Sequence, residues 1–319
     1  MTGTVDFAPL GIAVGHATDT AGATGCSVIR AVHGALRCGG VQVGRATGSR
    51  EFALATPVHS VDRIDAVLLT GGSAYGLDAA AGVMRWMEEH KRGFAIGGGV
   101  VPLVPAAVIF DLAPLGSFSA RPTPDMAFAA CEQASTQPDE GSVGAGTGAT
   151  VGKAAGSARS MKGGVGAWVV RSGELLVGAL VVTNSFGDVR DANGAIIAGA
   201  RGDGGAFLDA TKLLTGGAPR RGGGGAMQNT TIALVATNAQ LSRVELQQLA
   251  AATSAAFYRR ITPCGTSFDG DTIFAVGPAE GLTATAVAVE ALAVQAMEMA
   301  IERSVRLAKG RDGIPGLGG

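Results

Sequence analysis

Histidine, cysteine and aromatic side chains are scarce in this sequence, and each scarcity removes a class of function. Four histidines occur in 319 residues, at His16, His33, His59 and His90. None pairs with another at ligand spacing, so neither a histidine-based triad nor a histidine metal site is expected. The four cysteines, Cys26, Cys38, Cys131 and Cys264, form no CxxC pair. They are expected as buried, reduced thiols rather than as zinc ligands. Aromatic residues make up 5% of the chain and offer little on which to stack bases. Net charge is −1, from 25 basic and 26 acidic residues, which gives no general attraction to nucleic acid or to an anionic membrane. The most apolar late stretch, residues 282–301, is interrupted by Glu290 and Glu298 and reads as a packed amphipathic helix rather than a membrane span. The opening MTGTVDFAPLGIAVG has neither a basic segment nor a long apolar one, so no signal peptide is expected and a cytoplasmic location is.

Familiar ligand motifs are missing as well. GATVGK resembles a phosphate loop, but Thr147 stands where the first glycine belongs and Ala154 where Ser or Thr must follow the lysine. GGSAYG is not a nucleophile elbow, because Tyr75 occupies the second glycine position around Ser73, and it does not match the dinucleotide fingerprint either. Asp269-Gly270-Asp271 lacks the remaining ligands of a calcium loop. No cofactor and no metal are expected.

Glycine is abundant instead: 51 residues, roughly twice the usual share of about 7%. Without a collagen period, it points to tight turns and close backbone approaches. Hydrophobic residues reach 47%, enough for a substantial core, and charged residues only 16%, which excludes global disorder. Residues 65–70 (DAVLLT) read as a buried strand, 77–90 as a helix, and 97–110 as broken loop and strand. A further helix lies within 122–138. Residues 167–171 and 174–183 form a hairpin joined at Ser172-Gly173. Residues 212–228 (KLLTGGAPRRGGGGAMQ) have no apolar periodicity and read as a flexible linker. Order resumes with a strand at 231–237. Next comes a helix opened by a Ser242/Glu245 capping box, with Leu241 stapled onto Leu246 and an apolar face of Leu246, Leu249, Ala250 and Phe257. A strand at 272–276 and a long helix from 285 to 309, ended by Gly310, close the chain. Mixed strands and helices without a regular βαβ repeat predict packed α and β layers in a single domain.

One arrangement carries chemistry. A loose linker ends in Asn229, and a buried strand begins with Thr230-Thr231. A hydroxyl at such a junction can attack the preceding carbonyl, pass through an ester and be released by water. The new terminal amine then serves as base for its own hydroxyl, so no histidine is needed. On position alone, a structural threonine opening a strand is the commoner explanation of such a pair.

The residues around the junction, NTTIALVATNAQLS followed by TSFDGDTIFAV, resemble the family of DmpA-type L-aminopeptidase D-amidase/esterases. β-Peptidyl aminopeptidases and nylon-oligomer (aminohexanoate-oligomer) hydrolases belong to the same family. The similarity extends to GGSAYGLDAAAG, GAGTGATVGK and LVVTNSFGDV, in the same order, and covers about 11–307. The resemblance implies an αββα sandwich of N-terminal-nucleophile-hydrolase kind. It also implies self-cleavage into residues 1–229 and 230–319, which stay together, and a homotetramer of processed protomers. Carried over by motif, Thr230 is the nucleophile, Asn184 and Tyr75 are oxyanion donors, Lys153 lies by the nucleophile, and Asp269 and Asp271 orient the new amine and aid processing; as carboxylates they would also hold the lysine and compensate its charge. Taken without the resemblance, Asn184 caps a turn, Tyr75 is a core aromatic, Lys153 a solvated loop charge, and the aspartates shape a turn.

The expected substrate is a short amide or peptide with a free amine on its acyl side. Threonine as nucleophile and Asp-Gly-Asp point toward ω-amino-acid oligomers, as in the nylon-oligomer branch. Two other readings stay open at this stage: an acyltransferase of the ornithine acetyltransferase type, and an uncleaved, non-catalytic binding protein.

Overall fold

The structure, a computed structural model, describes residues 3–216 and 229–319. Its architecture follows from how the apolar runs divide their side chains between two faces. Along the strand Thr230–Thr237, Ile232, Leu234 and Ala236 enter one core, while Ala233 and Val235 enter another on the opposite face. Successive side chains of a strand point to opposite faces. A strand covered on both sides therefore reads as an unbroken apolar run, as TIALVAT does. Thr272–Gly277 divides in the same way, with Phe274 and Val276 on one side and Ile273 and Ala275 on the other.

That strand pair lies inside a six-stranded sheet ordered Gly3–Thr4, Val165–Ser172, Leu175–Asn184, Thr230–Thr237, Thr272–Gly277 and Arg37–Gln42. A five-stranded sheet, ordered Ile12–Asp19, Thr24–Ala31, Ala66–Thr70, Ala106–Val108 and Ser49–Arg50, faces it. The core between the sheets holds Ile12, Val14, Ile29, Val67 and Leu69 from one side and Val169, Leu180, Val182, Leu234 and Phe274 from the other. Helices α1 (Ala80–Glu89) and α2 (Pro124–Glu132) cover the outer face of the five-stranded sheet. A short α3 (Ala210–Thr215) precedes the strand Thr230–Thr237, and α4 (Arg243–Arg260) and α5 (Ala286–Arg306) cover the six-stranded sheet. Helix, sheet, sheet, helix is the expected sandwich.

Helix α4 begins as its sequence predicts. Ser242 Oγ accepts the Glu245 N–H at 3.2 Å and Glu245 Oε2 accepts the Ser242 N–H at 2.8 Å, while Leu241 and Leu246 share one core. Leu246, Leu249, Ala250 and Phe257 are all buried. The Arg260 guanidinium donates to Glu298 of α5 at 3.1 Å and ties the two covering helices together.

Several boundaries differ from expectation. The predicted 77–90 helix starts earlier, as a 3-10 turn over Ser73–Ala79 that passes into α1. The hairpin turn is Gly173-Glu174, since Ser172 pairs with Leu175; Gly173, at φ 61°, supplies the left-handed residue the turn needs. Helix α5 stops at Arg306 rather than near 309, because the chain folds back there. Pro315 O accepts the Lys162 N–H at 2.8 Å and Ala308 O accepts that of Gly318 at 2.9 Å. The first residues of the predicted linker, 212–215, belong to α3, whose start is capped by the Asp209 carboxylate. Residues 217–228 of that linker lie outside the described residues. Among the described residues no helix is long and apolar enough to cross a membrane.

Candidate active site

The site forms where three strands of the central sheet end together. Leu175–Asn184 runs antiparallel to Thr230–Thr237, with Asn184 directly opposite Thr230. On the other side Thr272–Gly277 runs parallel to Thr230–Thr237, with Thr272 beside Ile232. The Asp269-Gly270-Asp271 turn therefore arrives next to Asn229 and Thr230. Sheet pairing alone brings together residues from three distant parts of the sequence.

One backbone and one side-chain group of the turn grip the 229–231 segment. The Gly270 N–H donates to the Asn229 carbonyl at 2.8 Å, and Asp271 Oδ1 accepts the Thr231 N–H at 2.6 Å. A Cβ on Gly270 would stand 2.5 Å from Ala46 O and 2.9 Å from Thr230 Oγ1, so glycine is what lets the turn approach the hydroxyl. Residues 43–46 brace the turn from outside: Arg45 N–H and Ala46 N–H donate to Asp269 O at 2.8 and 3.0 Å.

Asn184 is fully buried and held on both ends of its amide. Its Oδ1 accepts the Thr150 N–H at 3.0 Å and the Lys153 ammonium at 2.8 Å, and its Nδ2 donates to Phe110 O at 3.1 Å. Lys153 also donates to Asn184 O at 3.0 Å. Gly152, at φ 72°, turns the chain so that this lysine enters the interior; it is buried, not a solvated loop charge.

Electrostatics at the site are set by exclusion of water. Burial lowers Lys153 to about 7, opposed by the attraction of Asp269 and reinforced by the charge of Lys162. Burial, with repulsion from Asp269, pushes Asp271 up to about 7, and burial raises Asp269 as well. Asp269 Oδ2 accepts from the N–H and hydroxyl of Thr266 at 2.9 and 2.7 Å. The lysine is thus gripped by Asn184, with Asp269 adding attraction. Asp271 aligns the backbone one residue beyond Thr230.

Thr230, Asn229, Asn184, Lys153, Asp269 and Asp271 come together in one buried cluster, each no more than 8% exposed. Tyr75 is exposed where these are buried. It lies on the Ser73–Ala79 turn, its ring is 55% exposed, and the Arg121 guanidinium covers it at 3.5 Å. The Gly270 N–H, the Phe110 carbonyl and the Thr150 N–H were invisible to side-chain reasoning, because backbone groups carry no residue signature. Only the glycine inside Asp-Gly-Asp hinted at one of them. Among the described residues no group of three His, Cys, Asp or Glu side chains is placed to hold a metal ion.

Solved structures with the same fold define the class. The L-aminopeptidase D-Ala-esterase/amidase of Ochrobactrum anthropi, described as a prototype for the serine aminopeptidases and a variant of the Ntn hydrolase fold, superposes with a TM-score of 0.68 at 19% identity, covering 93% of this chain and 84% of that one. A β-aminopeptidase of Burkholderia superposes with a TM-score of 0.67 at 18% identity, covering 97% and 87%. The fold is that of the Ntn hydrolases. Residues 9–316 match the model of peptidase family S58, and the chain belongs to that family, the DmpA type. Its relatives include an uncharacterised aminopeptidase of Mycobacterium leprae, 45% identical over 79% of this chain and 70% of the relative. They also include the 6-aminohexanoate-oligomer endohydrolase of Paenarthrobacter ureafaciens, 33% identical over 83% and 72%. The protein is a hydrolase of peptide or amide bonds.

Proposed function

We propose that Thr230 is the nucleophile, first of its own release and then of substrate hydrolysis. The observation that carries this reading is the grip on the Asn229–Thr230 bond. The Gly270 N–H is hydrogen-bonded to the carbonyl that would be attacked, and Gly270 lies against the Thr230 hydroxyl. In the first reaction Thr230 Oγ bonds to the Asn229 carbonyl carbon and the hydroxyl proton leaves for a base. The oxyanion meets the Gly270 N–H. The C–N bond then breaks, the proton goes to the departing amine, and water hydrolyses the ester. This releases residues 1–229 and 230–319 as separate chains. In the second reaction the new amine of Thr230 removes the hydroxyl proton as Oγ bonds to the acyl carbon of the substrate; the substrate C–N bond then breaks, and the proton passes from the Thr230 ammonium to the leaving amine. One N–H of the Asn184 amide stabilises the oxyanion, and water frees the enzyme. A lysine held near 7 keeps positive charge close to the amine without loading the buried site permanently. Tyr75, on the exposed Ser73–Ala79 turn, serves as the second donor.

Thr230→Ala is expected to stay full-length and inactive, and Thr230→Ser to cleave, since serine keeps the hydroxyl and loses only the χ1 restriction of a β-branched residue. Intact mass and a denaturing gel read both. A fragment of residues 230–319 from Thr230→Ala would place the nucleophile elsewhere. For the processed enzyme we propose short amides with a free amine on the acyl side, with preference for ω-amino-acid oligomers. Rates on a linear aminohexanoate dimer, a β-alanine anilide and an L-alanine anilide, each with its N-acetyl counterpart, separate these classes. Equal rates for acetylated compounds would end the amine-recognition idea, and hydrolysis without an acyl acceptor separates a hydrolase from a transferase. A homotetramer in the cytoplasm completes the proposal; light scattering that reports a monomer would refute the assembly.

A further inference from the structure

Two buried charges behind the site are left without a role by this chemistry. Asp111 and Lys162 are 2% and 1% exposed. Asp111 Oδ1 accepts the Gly72 N–H at 2.6 Å, and its Oδ2 accepts the Thr24 hydroxyl at 2.7 Å. A Cβ on Gly71 would stand 2.1 Å from that Oδ2, and one on Gly148 would stand 2.7 Å from the Asp111 Cβ. Both glycine-rich motifs, GGSAYG and GAGTGATVGK, therefore close around this one carboxylate. Lys162 fastens the second motif from the other side, donating to Thr147 O at 2.8 Å and Ala149 O at 2.7 Å. It pairs with Thr150 in a short two-stranded ladder. Opposite charge attracts the two groups to each other.

The connection to catalysis is covalent and short. Phe110, whose carbonyl accepts the Asn184 Nδ2, is the residue before Asp111. Thr150, whose N–H donates to the Asn184 Oδ1, follows Ala149. Each end of the Asn184 amide is thus held by a backbone group next to a segment that Asp111 or Lys162 anchors. We propose that Asp111 and Lys162 are positioning residues that fix the orientation of the Asn184 amide. Neither touches a reacting atom. A buried polar group costs free energy unless its hydrogen bonds are made, so the bonds that Asp111 and Lys162 make to the two motifs hold those segments stiffly. An amide that drifts by an ångström is a poor oxyanion donor.

This inference rests on Asn184 serving as a donor, and a double-mutant cycle tests it. kcat and KM for an L-alanine anilide are measured for wild type, Asp111→Ala, Asn184→Ala and the double variant, each rate divided by the cleaved fraction of the same sample. Asn184→Ala is expected to lower kcat by about 10²–10³-fold, the effect of removing one oxyanion donor. Asp111→Ala is expected to lower kcat by about 10–100-fold with KM within about twofold. In the Asn184→Ala background the Asp111 change should cost no more than about twofold, because residues acting as one unit are not additive. Asp111→Asn keeps an acceptor for Gly72 and a partner for Thr24 and should recover most of the loss; it serves as the test if Asp111→Ala does not fold. Losses that multiply in the double variant, or an Asp111→Asn enzyme as slow as Asp111→Ala at an unchanged unfolding midpoint, would overturn the proposal. A catalytically unimpaired Asn184→Ala would instead remove the donor itself. An active Thr230→Ala would remove the nucleophile without touching the coupling.

Discussion

Gly270 is the smallest side chain at the site and the one with the least freedom to change. Its N–H reaches the Asn229 carbonyl, and a Cβ added to it would collide with both Ala46 O and Thr230 Oγ1. In Gly270→Ala the new methyl must push the turn away from the hydroxyl. Self-cleavage, followed on a denaturing gel, is expected to slow by about 10²-fold, the order that a 1 Å misplacement costs. Cleavage at the wild-type rate would mean the turn does not need this approach. Thr230, Asn184, Lys153, Asp269 and Asp271 were legible as motif residues, and the fold brings all of them into one buried cluster. The partners that orient Asn184 were not legible, because two of the three are main-chain atoms of Phe110 and Thr150. Tyr75, named by the same set of motifs, is exposed and covered by the Arg121 guanidinium rather than buried with the cluster.

At the scale of elements, α4 was readable in detail because its signals are local: a reciprocal cap, a staple and one apolar face, all within residues 241–257. Ser242→Ala removes the acceptor for the Glu245 N–H. It is expected to cost about 0.5–2 kcal/mol of stability. Thermal unfolding should show a lower midpoint while kcat stays at the wild-type value, since the cap is remote from Thr230. An unchanged midpoint would mean water replaces the cap at no cost. The end of α5 was misjudged for a non-local reason: Gly310 is a plausible stop, yet the helix yields at Arg306 because the returning chain must reach Lys162 and Ala308. Strand directions and neighbours were beyond local reading. Nothing in TIALVAT says that its partners are Leu175–Asn184 on one edge and Thr272–Gly277 on the other.

The whole molecule carries its buried charges as a dependence of stability on pH. Lys153 and Lys162 are lowered from 10.5 to about 7 by burial. Between those values the unfolded chain binds more protons than the folded one, so stability rises with pH. Each lysine contributes at most about 1.4 kcal/mol per pH unit in that window. Asp271, raised to about 7, and Asp111, raised to about 6, act below it: there the folded form holds the extra protons, and stability falls as pH rises toward 7. Cys26, Cys38 and Cys131, raised from 9.0 to about 12 by burial, reverse the trend above pH 9. The unfolding midpoint is therefore expected to climb from pH 7 to 9, and to climb less in Lys162→Met. A flat profile over that range would mean both lysines keep ordinary proton affinity in the folded protein.

What the sequence determined by itself is whatever depends on neighbours along the chain. It set the composition that makes a large core, the apolar runs of doubly covered strands, the cap of α4, and the junction of Asn229 with Thr230. Ordered motifs extended this to the family and its sandwich, because several short patterns in sequence are far more specific than any one. Only the tertiary structure decided which residues face Thr230. Asn184 lies opposite it, and the 269–271 turn beside it, through hydrogen-bonded register between strands many residues apart. Register is a property of pairs of strands, and a single-residue slip would send every side chain to the other face. The same packing removes water from Lys153, Asp269 and Asp271, and it is that exclusion, absent from any local pattern, that gives these groups their proton affinities.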